Sequence, residues 1–238
     1  MQLMINKFFL KGELKVKKKT LPPFDDTICD FFDLLSKKIF EDKNKFQEND
    51  ILTLAFWFRK KNILSLKKIF FNNDFKLPLG IVFHVTPNNV PINFAYSLFF
   101  GLITGNTNIV KVPSRNYFQV NYLFKTINKI LKIKKYLKIR DMINIIKYDN
   151  DDDITKKISS KSNARLIWGG DKTVNKIKSI TSPNYCLDIS FPDRYSFSLI
   201  NLDKLNKLNK ENFFQLIKKF YNDNYTFDQN ACNSSHLV

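Results

Sequence analysis

Apolar residues recur every three or four positions from Ile28 to Phe40, a spacing that predicts an amphipathic helix. Its acids (Asp25, Asp26, Asp30, Asp33) come early and its lysines (Lys37, Lys38) late, as the helix dipole prefers. Ile51 to Lys60 and Ile63 to Phe71 repeat the pattern more loosely, so residues 1–75 are expected to form a mainly helical region. The pattern changes near Pro78. Leu79 to Val85 is a short, β-rich apolar run closed by Thr86-Pro87-Asn88-Asn89-Val90-Pro91, which predicts a buried strand and a turn. Asn93 to Ile103 predicts an apolar helix stopped by Gly105-Asn106. Asn108 to Val112, Met142 to Ile146, Ala164 to Trp168 and Ser196 to Asn201 predict further strands. Tyr117 to Leu131 and Leu205 to Tyr221 predict helices, the second rich in lysine. The acidic run Asp149 to Asp153 is expected to be a loop and a helix N-terminus. Strands alternating with helices imply an α/β fold with a doubly wound, mainly parallel sheet.

Composition narrows the class. The 238 residues are 44% hydrophobic and 15% aromatic, enough for a sizeable core and unlike a disordered chain. The formal net charge of +17 raises the question of nucleic acid. The charge is mostly lysine spread along the chain, arginines are confined to Arg59, Arg115, Arg140, Arg165 and Arg194, and no nucleic-acid reader motif accompanies them. Enrichment in Lys, Asn, Ile and Phe together is what an AT-rich coding sequence produces. Three cysteines, Cys29, Cys186 and Cys232, at wide spacing argue against a disulfide framework and for a reducing, cytoplasmic setting. No paired Cys or His spacing suggests a metal site. Lys7, Lys11 and Lys15 interrupt the N-terminal apolar residues, making a poor secretory signal. The longest apolar stretch, Phe94 to Thr104, is too short to span a bilayer.

Ligands of open parallel sheets gather beyond the carboxyl ends of the strands. Three loops follow expected strands there: Thr86 to Pro91, Pro113-Ser114-Arg115 and Gly169-Gly170-Asp171. Neither a G-x-G-x-x-G nor a P-loop string is present. Singly, each loop reads most simply as turn punctuation. His84 and His236 have no partner at a recognisable spacing, and no triad is assigned.

Taken in order, the motifs resemble the aldehyde dehydrogenase superfamily, and within it the LuxC-type acyl-CoA reductases. The segment Gly80-Ile81-Val82-Phe83-His84-Val85-Thr86-Pro87-Asn88-Asn89-Val90-Pro91 is similar to that family's G-x-x-x-H-x-x-x-x-N-V-P. Gly105 to Lys111, Pro113-Ser114, Trp168-Gly169-Gly170-Asp171 and Arg194-Tyr195-Ser196-Phe197 continue the likeness. It ends at Asp228-Gln229-Asn230-Ala231-Cys232, which resembles the family's catalytic-cysteine block.

The resemblance implies an NAD(P)H-dependent reduction of an acyl thioester to an aldehyde. Cys232 would be the nucleophile, and Asn89 with the Cys232 backbone N–H the oxyanion donors. Thr86, Pro87, Lys111, Ser114, Gly169, Gly170 and Asp171 match cofactor-binding positions, with NADPH favoured over NADH by Lys111 and Ser114 near the ribose. It further implies acyl-CoA or an acyl carrier protein as partner and a homo-oligomer at full length. The expected division is residues 1–75 helical, 76–195 dinucleotide-binding, and 196–238 the start of an incomplete catalytic domain. The water-activating Glu of hydrolytic relatives, in E-L-G-G, has no trusted counterpart. Asp188 in Leu187-Asp188-Ile189-Ser190-Phe191 is not equated with it, and this absence favours acyl reduction over aldehyde oxidation. Two other readings remain open: an inactive remnant acting at most as a nucleotide-binding module, and a basic nucleic-acid-binding protein.

Overall fold

In the computed structural model, residues 16–45, 49–71, 75–148, 151–225 and 234–237 are described. The chain divides into two compact units, Met1–Phe191 and Pro192–Val238.

The first unit opens with α1 (Asp26–Glu41), α2 (Asn49–Trp57) and α3 (Lys60–Phe71). Asp25 caps α1 by accepting from the Thr27 N–H at 2.8 Å, which satisfies an otherwise orphaned donor. There follow β1 (Ile81–Val85), α4 (Asn93–Ile103), β2 (Thr107–Lys111), α5 (Phe118–Ile130), the short α6 (Leu137–Arg140) and β3 (Ile143–Ile146). Then come α7 (Asp152–Ser159), β4 (Ala164–Trp168), α8 (Asp171–Ser179) and β5 (Leu187–Phe191). Asp151 caps α7 through the Asp153 and Ile154 N–H groups, so this part of the acidic run serves the helix terminus. Asp149 and Asn150 lie outside the described residues.

All five strands are parallel, in the order β3-β2-β1-β4-β5. The order reverses between β1 and β4, the switch point at which such sheets bind ligands. Each face carries its own apolar cluster. One includes Ile28, Phe31, Phe32 and Leu35 of α1, Leu54 of α2, and Phe94, Leu98, Phe99 and Leu102 of α4. Phe32 meets Phe99 edge to face at 4.8 Å, and Phe58 stacks on Phe99 at 5.2 Å, so aromatic contacts seat the N-terminal helices on α4. The other cluster joins Phe83, Ile109, Ile146 and Ile167 of the sheet to Ile158 of α7 and to Val174 and Ile177 of α8.

In this sheet one strand differs from expectation. Leu187 to Phe191 was not assigned as a strand from sequence, yet it forms the edge strand β5. Its position is tied by a cross-strand ion pair: Arg165 of β4 is 1% exposed and sits in register with Asp188. Arg165 donates Nε–H to Asp188 Oδ1 at 2.6 Å, Nη2–H to Oδ2 at 2.7 Å, and Nη1–H to the Ile180 carbonyl at 2.8 Å. A fork-to-fork pair of this kind specifies register as well as charge.

The second unit contains β6 (Ser196–Phe197), α9 (Leu202–Leu205), α10 (Lys210–Tyr225) and β7 (Ser235–Leu237). The strand expected over Ser196 to Asn201 is confined to its first two residues, because Asn201 instead caps α9 through the Lys204 N–H. The expected lysine-rich helix is two helices, α9 and α10. β6 and β7 pair in parallel. Buried Asn224 accepts from the Ser235 N–H and donates to the Phe220 carbonyl, joining α10 to β7.

Candidate functional site

The carboxyl ends of β1, β2 and β4 lie side by side, so the three loops singled out in the sequence share one sheet edge. Side chains lace the first two loops together. The buried Thr86 hydroxyl donates to the Lys111 carbonyl at 2.6 Å, fastening the exit of β1 to the end of β2. The Ser114 N–H donates to Asn88 Oδ1 at 3.3 Å, and the Ser114 hydroxyl reaches the Tyr148 carbonyl at 3.3 Å. Tyr117, not singled out from sequence, donates its hydroxyl to the Asn88 carbonyl at 2.6 Å. Asn88 and Asn89 are exposed on this laced loop, while Pro91 and Ile92 turn inward to start α4.

Lys111, half-buried at the end of β2, holds its ammonium 4.4 Å from the Tyr148 ring centroid, a cation–π distance. Burial pushes the Tyr148 phenol up to about 12, so the ring is neutral across the physiological range.

At the end of β4 the chain leaves through Trp168, Gly169 and Gly170 into α8. Gly169 has φ +155°, a conformation that L side chains rarely adopt, and a Cβ there would press on the Thr173 side chain. A Cβ on Gly170 would meet nothing within 4 Å, so open space lies beside the loop at the N-terminus of α8. Asp171 begins that helix, exposed.

Behind the loops, His84 is fully buried in β1, bonded through Nδ1 to Ser97 Oγ at 2.7 Å and through Nε2 to Asn108 Oδ1 at 2.9 Å. Burial lowers its pKa to about 4, opposed only in part by the Asn108 bond. His84 is therefore a neutral imidazole in the fold. Sequence gave no signal for either partner, since one comes from α4 and the other from β2.

Asp188 is committed through both carboxylate oxygens to Arg165. Burial raises the thiols of Cys29, to about 11, and of Cys186. Cys232, the nucleophile expected from sequence, lies outside the described residues; the first described residues after it, Ser234 and Ser235, are both buried. Among the described residues no group of three or more His, Cys, Asp or Glu is placed to hold a metal ion, and no helix is long and apolar enough to cross a membrane.

A parallel sheet of this order, with helical layers on both faces and these loops at its carboxyl edge, is a doubly wound α/β fold, and its structural neighbours make it aldehyde dehydrogenase-like. Solved structures share it. Lactaldehyde dehydrogenase from Escherichia coli matches 91% of this chain with a TM-score of 0.60 at 14% identity, over 48% of its own length. Betaine aldehyde dehydrogenase from Staphylococcus aureus, solved with NAD+, matches 88% with a TM-score of 0.56 at 14% identity, over 44% of its length. Glyceraldehyde-3-phosphate dehydrogenase GapN from Methanocaldococcus jannaschii, solved with NADP, matches 92% with a TM-score of 0.54 at 16% identity, over 58% of its length.

The chain belongs to the acyl-CoA reductase (LuxC) family, which it matches over residues 67–238. It is also similar to a long-chain acyl-protein thioester reductase from Aliivibrio fischeri, 23% identical over 129 residues, and to long-chain acyl-protein thioester reductase 2 from Photobacterium leiognathi, 25% identical over 127 residues. Those matches take in 53% and 52% of this chain and 26% of each relative. The chain spans about half the length of the solved relatives.

Proposed function

We propose that this chain carries the dinucleotide-binding part and the nucleophile of an enzyme that reduces an acyl thioester to an aldehyde with a reduced nicotinamide. The observation that carries the reading is the meeting, at one switch point, of the loops ending β1, β2 and β4, in a chain of the acyl-CoA reductase family. The residues present suit a dinucleotide: a lysine and a serine at the end of β2, and open space beside Gly170 at a helix N-terminus, where a phosphate is favoured. Lys111 and Ser114 would hold the adenosine ribose or its 2′-phosphate, favouring NADPH over NADH. Thr86 and Pro87 would shape the β1 exit, and Gly169, Gly170 and Asp171 would lie along the pyrophosphate and nicotinamide. When bound, the reduced nicotinamide supplies the hydride.

The chain's own residues do the rest. Cys232, as thiolate, attacks the thioester carbonyl carbon; the C–S bond to CoA or the carrier breaks, and that sulfur leaves as a thiolate that takes a proton from solvent. The acyl group stays as a Cys232 thioester. Asn89 and the Cys232 backbone N–H donate to the oxyanion in both the acylation and reduction steps. Cys232 would hold the acyl carbon through its reduction, and its sulfur would leave as the thiolate when the aldehyde is freed. With its carboxylate tied to Arg165, Asp188 is not a candidate for activating water, in keeping with reduction rather than hydrolysis. The lysine-rich surface would attract the phosphates of CoA or an acidic carrier protein.

The test has two arms. Mass-tagged acyl-CoA, without nicotinamide, is expected to leave one hydroxylamine-sensitive acyl group on the full-length parent, lost in Cys232→Ser and kept in Cys29→Ser and Cys186→Ser, while residues 1–238 alone are expected to turn over poorly. Calorimetry is expected to show saturable NADPH binding, weakened roughly tenfold to a hundredfold in Lys111→Ala, the range of a lost charge-assisted hydrogen bond. Labelling that persists in Cys232→Ser removes the nucleophile. Dinucleotide binding without labelling leaves a nucleotide-binding module.

A further inference from the structure

Four buried or half-buried groups behind the switch point form a single chain of hydrogen bonds whose direction can be worked out. Asn108 donates its amide Nδ2 to the Asn106 carbonyl at 2.7 Å, which leaves its Oδ1 as the acceptor facing His84. His84 Nε2 therefore carries the proton and Nδ1 is the acceptor. The Ser97 hydroxyl, 2.7 Å from Nδ1, donates to it. The remaining lone pair of Ser97 Oγ accepts the indole Nε1–H of Trp168 at 3.2 Å. Every donor has one acceptor, and the chain runs from the core of β2 to the last residue of β4. The site is built around it: a Cβ on Gly101 of α4 would strike both the His84 ring and Asn108 Oδ1, so that helix approaches the strands closely only because residue 101 has no side chain.

Trp168 is where this chain meets the candidate dinucleotide loop. Its indole lies flat on the Phe191 ring, with centroids 3.8 Å apart and an interplanar angle of 9°. The next residue, Gly169, donates its N–H to the Phe191 carbonyl at 3.3 Å. Gly169 and Gly170 have no side chains of their own to anchor them. Backbone bonds tie the Gly170 carbonyl to the Thr173 and Val174 N–H groups of α8, and the Trp168 indole, bonded to Ser97 and stacked on Phe191, is the side-chain anchor at the start of the loop.

We propose that Ser97, oriented by the buried His84, is a positioning residue for the dinucleotide site, fixing the Trp168 indole and thereby the Gly169–Gly170 loop. The role rests on the dinucleotide reading of that loop. A purely apolar core would fill the same space without a polar chain that must be satisfied at every member. Burial keeps the imidazole neutral, which preserves Nδ1 as an acceptor at physiological pH.

The test uses the full chain with Ser97→Ala, Trp168→Phe and the double substitution. Trp168→Phe keeps a smaller ring on Phe191 and removes the indole N–H together with part of the stacked area, so it serves where Ser97→Ala folds poorly. Two readouts are taken. Indole N–H exchange is followed by NMR with 15N-tryptophan, where Trp57 provides an internal reference; NADPH and NADH affinity is measured by calorimetry. Ser97→Ala is expected to speed Trp168 indole exchange by roughly tenfold or more and to weaken dinucleotide binding by roughly tenfold, about the effect of one lost hydrogen bond with a donor left unpaired. Trp168→Phe is expected to weaken binding by a similar factor, and the double variant no further, because both remove one link. Ile28→Val, a core substitution in α1, is expected to lower stability without changing affinity. Wild-type binding left unchanged by both single variants, or losses that multiply in the double, overturns the positioning role. Wild-type chain that binds neither dinucleotide overturns the dinucleotide reading of the loop, whatever the exchange rates.

Discussion

Removing the Asp188 carboxylate while leaving Arg165 in place is expected to be among the most damaging single changes in the sheet. The Arg165 side chain is 2% exposed and spends three donors, two on Asp188 and one on the Ile180 carbonyl. In Asp188→Ala the guanidinium stays charged, stays buried and keeps only the Ile180 bond. Breaking a buried pair in this way costs about 3–5 kcal/mol. Two to four degrees per kcal/mol for a chain of this size gives a drop in melting temperature of roughly 6–20 °C.

The converse change is milder. Arg165→Met leaves a carboxylate whose side chain is 23% exposed, so water can replace the lost donors. Its cost is about 1–3 kcal/mol, including the unpaired Ile180 carbonyl. Replacing both, Arg165→Met with Asp188→Leu, removes the charges together and is expected to recover most of the loss of Asp188→Ala. Urea denaturation of the four proteins measures the cycle, and hydrogen exchange of the β4 and β5 amides localises it. Equal losses in the two single variants, or a double variant no more stable than Asp188→Ala, would refute the asymmetry and with it the buried, committed state of Arg165.

Other outcomes follow from the same geometry. His84 has its folded pKa lowered to about 4 from an ordinary 6.5, so the unfolded chain binds more protons between those values. Stability is therefore complete above about 6.5 and falls as pH drops toward 4, by about 3 kcal/mol from this one group; the acid-dependent part should vanish in denaturation curves of His84→Leu, which is less stable throughout. The Cys29 thiol, raised to about 11, is expected to resist alkylation by iodoacetamide at pH 8 in the folded chain and to react on unfolding, as read by peptide mass. Gly169→Ala is expected to cost about 1–3 kcal/mol through strain at φ +155°, whereas Gly170→Ala, facing open space, leaves the melting temperature within a few degrees.

The sequence by itself determined which segments could be elements and which face each would bury. The three-and-four spacing from Ile28 to Phe40 led to α1 with its observed buried face of Ile28, Phe31, Phe32, Leu35 and Ile39. The apolar runs at Ile81, Ile109, Ile143 and Ala164 led to four of the five sheet strands, and the turn residues after them marked loops that do share one edge. These are local properties, encoded by periodicity and by the backbone limits of Gly and Pro. What joins the loops was decided only in three dimensions. Tyr117 reaches Asn88 across 29 positions, His84 finds Ser97 and Asn108 at 13 and 24 positions, and Trp168 closes on Ser97 across 71. None of these separations carries a pattern, because they depend on strand order and on how closely α4 can approach. β5 shows the boundary well. Its alternation of Leu187, Ile189 and Phe191 with Asp188 and Ser190 was present in the sequence, but it became a strand of this sheet through pairing with β4, where a buried guanidinium accepts one register and penalises the others.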